Sequence, residues 1–81
     1  MWYIYTLKSL KDGRLYTGMS KNPEKRLLEH NFGMTESTKY RRPLKIIYKE
    51  ECGDRTTARK REKYLKSGVG REFLKQFTEP S

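Results

Sequence analysis

Hydrophobic positions follow two rhythms along this chain. Trp2 to Leu7 is rich in aromatic and β-branched residues and reads as a strand. Asp12-Gly13 is a hairpin signal, and Arg14 to Gly18 supplies the return strand. The parity of the connecting loop decides which residues the two strands share on one face. Side chains alternate with period 2, so an even-numbered loop puts Tyr16 on the face of Tyr3, Tyr5 and Leu7. With the loop Leu10 to Gly13, Tyr16 stands opposite Leu7, and Gly18 opposite Tyr5. Tyr5 and Tyr16 are then diagonal neighbours about 7–8 Å apart between backbones. Gly18 leaves a notch beside them.

After Lys21 the period lengthens to that of a helix. Asn22 reads as an N-cap, Pro23 as the first helical residue and Glu24 as a first-turn acid. This helix is expected to turn Leu27 and Leu28 inward and to end near Asn31 or Gly33. Arg26 and His30, at i and i+4, project from one face. Gly33 to Pro43 is a polar loop containing STKYRRP, and LKIIYKEEC, Leu44 to Cys52, reads as a third strand. Asp54 caps a second helix through about Ser67, ended by Gly68, and Gly70 to Phe77 forms a short last helix with Phe73, Leu74 and Phe77 inward. The expected fold class is α+β: a three-stranded antiparallel sheet flanked by helices, in the order β-β-α-β-α-α. One domain covers 1–77, and 78–81 reads as a frayed tail.

Composition sharpens this picture. A chain of 81 residues, 33% hydrophobic and 36% charged, has one thin core that relies on six Tyr, three Phe and one Trp. The net charge of +9 points to a polyanionic partner, nucleic acid ahead of an anionic membrane surface. A lone Cys52 excludes an intrachain disulfide and a cysteine-based zinc site, and reads as a small core residue. The opening MWYIYTLKSLK lacks the apolar run of a signal peptide, and no segment is long enough to span a membrane. The expectation is an intracellular, cytoplasmic protein.

One position breaks the pattern of the second helix. Its i, i+3, i+4, i+7 stripe reads Ala58, Arg61, Glu62, Leu65, which sets a carboxylate at or beside the inward face. Such a group needs a cation of the protein or a metal ion. Arg59 and Lys66 flank it at helical spacing, so a surface ion pair is the plain alternative. The other conspicuous residues have plain alternatives too. Tyr5 and Tyr16 would serve as amphipathic core fillers, Arg26 as a solvated helix residue, and His30 as a cation complementing a helix C-terminus.

Taken together, Tyr3-Ile4-Tyr5, Tyr16-Thr17-Gly18, Arg26 ten residues on, NPEKRLLEHNFG, STKYRRP and REKYLKSGVGREFLK resemble the GIY-YIG nuclease domain. This is the domain of homing endonucleases, some restriction enzymes and the excision-nuclease C subunit, and the resemblance is to its small standalone bacterial branch. It covers about Trp2 to Lys75. Tyr3 replaces the first glycine of the motif and Thr17 its central isoleucine, and no counterpart follows Glu62 for the asparagine that supports the site in some members. The resemblance implies an endonuclease that hydrolyses DNA phosphodiesters with one divalent ion, Mg²⁺ or Mn²⁺ in its place. Repair, recombination or a larger processing complex would be its setting, and RNA is not excluded as substrate. By position, Tyr5 and Tyr16 would be the paired motif tyrosines, Arg26 the helix arginine, His30 its basic helper and Glu62 the metal ligand. Gly18, Lys39, Tyr40, Arg41, Arg42, Arg61 and Lys66 would meet nucleic acid. A binding module without catalysis is the competing reading.

The chemistry suits these residue types. Mg²⁺ prefers oxygen ligands and keeps most of its waters, so one carboxylate plus a substrate phosphate can hold it. Arginine presents a planar, permanently charged fork to phosphate oxygens. A tyrosine is a poor base at its free pKa of roughly 10, but its phenolate is favoured beside cations. His30 competes with Tyr5 and Tyr16 for the role of base, and a tyrosine is the preferred reading.

Overall fold

The computed structural model describes residues 1–78. Its elements are β1 (Trp2–Ser9), β2 (Leu15–Ser20), α1 (Pro23–Asn31), a 3₁₀ turn (Lys39–Arg41), β3 (Leu44–Gly53), α2 (Arg55–Lys66) and α3 (Gly68–Lys75). The class is α+β, in the expected order β-β-α-β-α-α. The antiparallel sheet runs β2-β1-β3, so β1 is central and β2 and β3 are its edges.

The hairpin has the even loop. Ser9 N–H donates to the Arg14 carbonyl (2.9 Å) and Gly13 N–H to that of Ser9 (2.9 Å), enclosing Leu10 to Gly13. Gly13, at φ 76°, takes the left-handed turn position that a side chain would resist. Leu7 therefore pairs with Tyr16, and Tyr5 with Gly18. Alternation then divides the apolar residues between two layers. Tyr5, Leu7 and Leu44 gather with Tyr16, Leu27 and Ile46 beneath α1. Ile4, on the other face, packs against Ala58, Leu65 and Leu74 of α2 and α3.

Helix α1 starts as expected, with the Asn22 side chain accepting from Lys25 N–H (3.1 Å). Its inward stripe is Pro23 and His30, both buried, with Leu27 half-buried between them, spaced i, i+4, i+7. Leu28 lies off that stripe and is 59% exposed, which corrects the expectation that it turns inward. Helix α3 begins at Gly68, two residues earlier than its pattern suggested. Ser67 serves both neighbours: its N–H bonds the Tyr64 carbonyl (3.0 Å), and its hydroxyl accepts from Gly70 N–H (3.3 Å). No loop is needed between the helices.

Leu74 is buried and Phe73 half-buried, while Phe77 lies nearer the surface with its ring 4.9 Å from that of Tyr48. Cys52 packs at the margin of the core. Of the expected tail, only Thr78 falls among the described residues, where its carbonyl accepts from Lys8 (3.3 Å); 79–81 lie outside them. Among the described residues, no helix is long and apolar enough to cross a membrane.

Candidate active site

The hairpin register brings the two phenols together, with ring centroids 6.5 Å apart. Gly18 is needed for the approach. A Cβ there would stand 2.8 Å from the Tyr5 hydroxyl and 3.1 Å from the Tyr16 ring. The notch expected beside Gly18 is thus occupied by the Tyr5 phenol itself. Tyr5 is almost wholly buried and Tyr16 half-exposed.

His30 closes the group from above. It is fully buried, its ring centroid 4.9 Å from that of Tyr16, and its Nε2 lies 3.3 Å from the Tyr5 hydroxyl. Nδ1 meets the Thr38 hydroxyl at 2.7 Å, and Thr38 is buried too. A polar chain therefore runs from β1 through α1 to the loop, and it is consistent with Tyr5 donating to Nε2 and Nδ1–H donating to Thr38. The end of α1 is clamped above it. Asn31 Nδ2 donates to the Leu44 carbonyl (3.0 Å), while Asn31 Oδ1 accepts from Leu44 N–H (2.8 Å). Thr38 and Asn31 carry no periodic signal in the sequence, because their partners lie across the fold.

Burial governs the protonation states. It pushes the Tyr5 phenol above its ordinary value, against the opposing pull of Arg26, so Tyr5 is neutral near pH 7. Burial and then the Arg26 charge hold the His30 imidazole below its ordinary value, only partly offset by Glu29. His30 is therefore neutral and does not complement the helix dipole as a cation. The two groups hydrogen-bonded to it, the Tyr5 and Thr38 hydroxyls, bring no charge. Since the folded state binds this proton less tightly than the unfolded state, stability is complete above the unfolded value of about 6.5 and falls as pH drops through it. The melting temperature should accordingly decline as pH falls below about 6.5, and His30→Gln should flatten that part of the profile, as a thermal melt series would read.

Arg26 donates to Glu29 at 2.6 Å and remains about one-third exposed, with its charge felt at Tyr5. Glu62 comes from the other layer. Its side chain is 15% exposed and pairs with Lys66 at 3.4 Å, the flanking partner the helical spacing offered. Its negative charge nevertheless contributes to the rise at Tyr5. Lys66 in turn lines a hollow of about 230 Å³ with Tyr16, Thr17 and Leu65. The Glu62 charge is thus felt at Tyr5, and its partner Lys66 borders one hollow with Tyr16.

The basic residues separate. Lys39, Tyr40 and Arg42 border a hollow shared with Lys11, Asn31 and Pro43. Arg42 also donates to the Lys39 carbonyl (2.8 Å), and its guanidinium lies over Gly33. Arg41 lines a different hollow, beside Arg14 and Arg71. Arg61 is held by Glu50 (3.0 Å) and stacks near the Tyr64 ring (4.9 Å) and the Phe73 ring (5.7 Å). Those contacts fix α2 to β3 and α3, and none of them reaches the hairpin or α1.

Among the described residues, no three His, Cys, Asp or Glu side chains form a metal cage. A lone carboxylate such as that of Glu62 suits an oxygen-seeking ion that completes its shell with water and phosphate. It does not suit zinc, which wants three or four protein ligands.

The model of the GIY-YIG catalytic domain matches residues 1–75. The chain belongs to the GIY-YIG family. It is 42% identical to a UPF0213 protein of Staphylococcus saprophyticus over 95% of this chain and 94% of that one. It is 43% identical to a UPF0213 protein of Clostridium perfringens over 82% of this chain and 71% of that one. A UPF0213 protein of Desulfotalea psychrophila is 40% identical, with 80% of this chain matching 60% of that relative. No solved structure matches significantly. GIY-YIG domains form a nuclease family whose members generally use a divalent metal, and nucleic acid is the substrate that membership implies.

Proposed function

We propose that this GIY-YIG domain is a divalent-metal-dependent endonuclease that hydrolyses phosphodiester bonds in DNA, in repair, recombination or processing. The observation that carries this reading is the packing of Tyr16 against the Tyr5–His30 pair, with Tyr5 within reach of the Glu62 charge. Glu62 would hold Mg²⁺, or Mn²⁺ in its place, after exchanging Lys66. Bound there, the ion would neutralise charge building on the phosphate. Arg26 supplies the guanidinium fork for a phosphate oxygen. Tyr16 is the reachable phenol of the pair; as the phenolate that a neighbouring cation favours, it would take the proton of the attacking water. Tyr5 and His30, both buried, hold its ring in place from beneath and above.

A binding module without catalysis is favoured by one observation: Lys66 satisfies Glu62 without any metal. Cleavage of supercoiled, single-stranded and branched DNA with Mg²⁺ or Mn²⁺, run against chelator, separates the two. Cleavage should appear with metal and fall about 10²–10³-fold in Glu62→Ala and in Arg26→Ala, both still folded. Parent-like cutting by both variants would reject this site. Binding without cutting under every metal would favour the module.

A further inference from the structure

The hollow beside Tyr16 continues along the β2 edge. Leu15 and Arg71, which line its floor and rim, also line a second hollow of about 500 Å³ with Arg14, Arg41 and Lys75. The two are therefore one groove, running from Tyr16 toward the hairpin turn between β2 and α3. Its floor is apolar, made of Leu15, Leu65 and Leu74. Among the described residues, the charged side chains that line it are all cations, with Asp12 standing behind Arg14 and Arg41. Arg14 and Arg71 are exposed and have no ion-pair partner among the described residues. Arg41 has a loose one, with Asp12 at 4.0 Å.

We propose that one nucleic-acid strand lies in this groove beside the cleavage point, its phosphates held by Arg14, Arg41 and Arg71. An apolar floor under a cationic rim matches the sugar and phosphate sides of a backbone. From Gly18 to Arg14 the strand extends roughly 13 Å, enough for a few nucleotides. None of these contacts reads a base, so the groove positions the strand without selecting sequence. This inference rests on the Tyr16 site being the nuclease centre, and its test is read without cleavage so that the two can fail separately.

Fluorescence anisotropy of a labelled single-stranded DNA, in chelator and over a salt series, provides the test. The double variant Arg14→Gln/Arg71→Gln should lower the slope of log affinity against log salt by about 1.4 and weaken binding about 10-fold or more near 0.1 M salt. A control with the same charge loss, Lys45→Gln/Lys60→Gln, removes exposed lysines that line neither hollow, and should lose much less. An unchanged slope, or one that falls equally in the control, overturns the groove. A loss of affinity for polyaspartate without one for DNA overturns it as well, assigning the surface to acidic protein. Parent protein that binds with the expected slope but never cuts leaves the groove standing and removes the nuclease reading alone.

Discussion

The Gly70→Ala variant is expected to lose about 3 kcal/mol of stability or more, and with it a large share of the native population at 37 °C. Alanine is the better helix former by about 1 kcal/mol, so propensity alone predicts a gain. Geometry overrules it. A Cβ on Gly70 would collide with the Tyr64 carbonyl oxygen and with the Leu65 Cα. Both obstacles are backbone of α2, which no rotamer change can clear. Relief would require α3 to lift, exposing Leu65 and Leu74 of the shared core. Gly68→Ala is the control, because nothing lies within 4 Å of a Cβ there. Thermal melts of the pair should separate by at least about 12 °C. Equal melting temperatures would mean that the two helices do not approach so closely.

Tyr16→Phe should lower metal-dependent cleavage about 10²–10⁴-fold with little change in melting temperature. Tyr5→Phe should do the reverse: a smaller loss of rate and a clear loss of stability. The contrast follows from exposure. Tyr16 is half-exposed beside the groove, whereas Tyr5 is about 1% exposed and its hydroxyl is committed to His30. Removing that hydroxyl leaves a buried imidazole nitrogen without its partner, at a cost of about 1–3 kcal/mol. Single-turnover cleavage with saturating protein, alongside melts of both variants, reads the two effects separately. A greater rate loss in Tyr5→Phe than in Tyr16→Phe would reassign the proton acceptor to the buried phenol.

Local rules carried a long way in this chain. Loop parity placed Tyr16 opposite Leu7, and the caps at Asn22 and Asp54 formed as their residue types predict. Such features depend on neighbours in sequence, which is why they are legible there. Leu28 shows the limit. Two adjacent leucines cannot both face a narrow stripe, and Pro23 and His30 settled which one does. Arg61 shows another: the ion pair that β3 supplies through Glu50 could not be read from its helix. Thr38 and Gly70 were beyond reach, because their significance lies in atoms that only the tertiary fold brings near. His30 combined both kinds. Its spacing from Arg26 was readable, but its neutrality depends on a burial that no local pattern encodes.

In the proposed site Tyr16 comes from β2 and Glu62 from α2, which has a consequence for control of the molecule. Neither element would act on its own, so a modest slippage between them would silence chemistry while leaving most of the architecture intact. A small molecule or protein that wedges into that seam could switch the domain off without competing for its substrate.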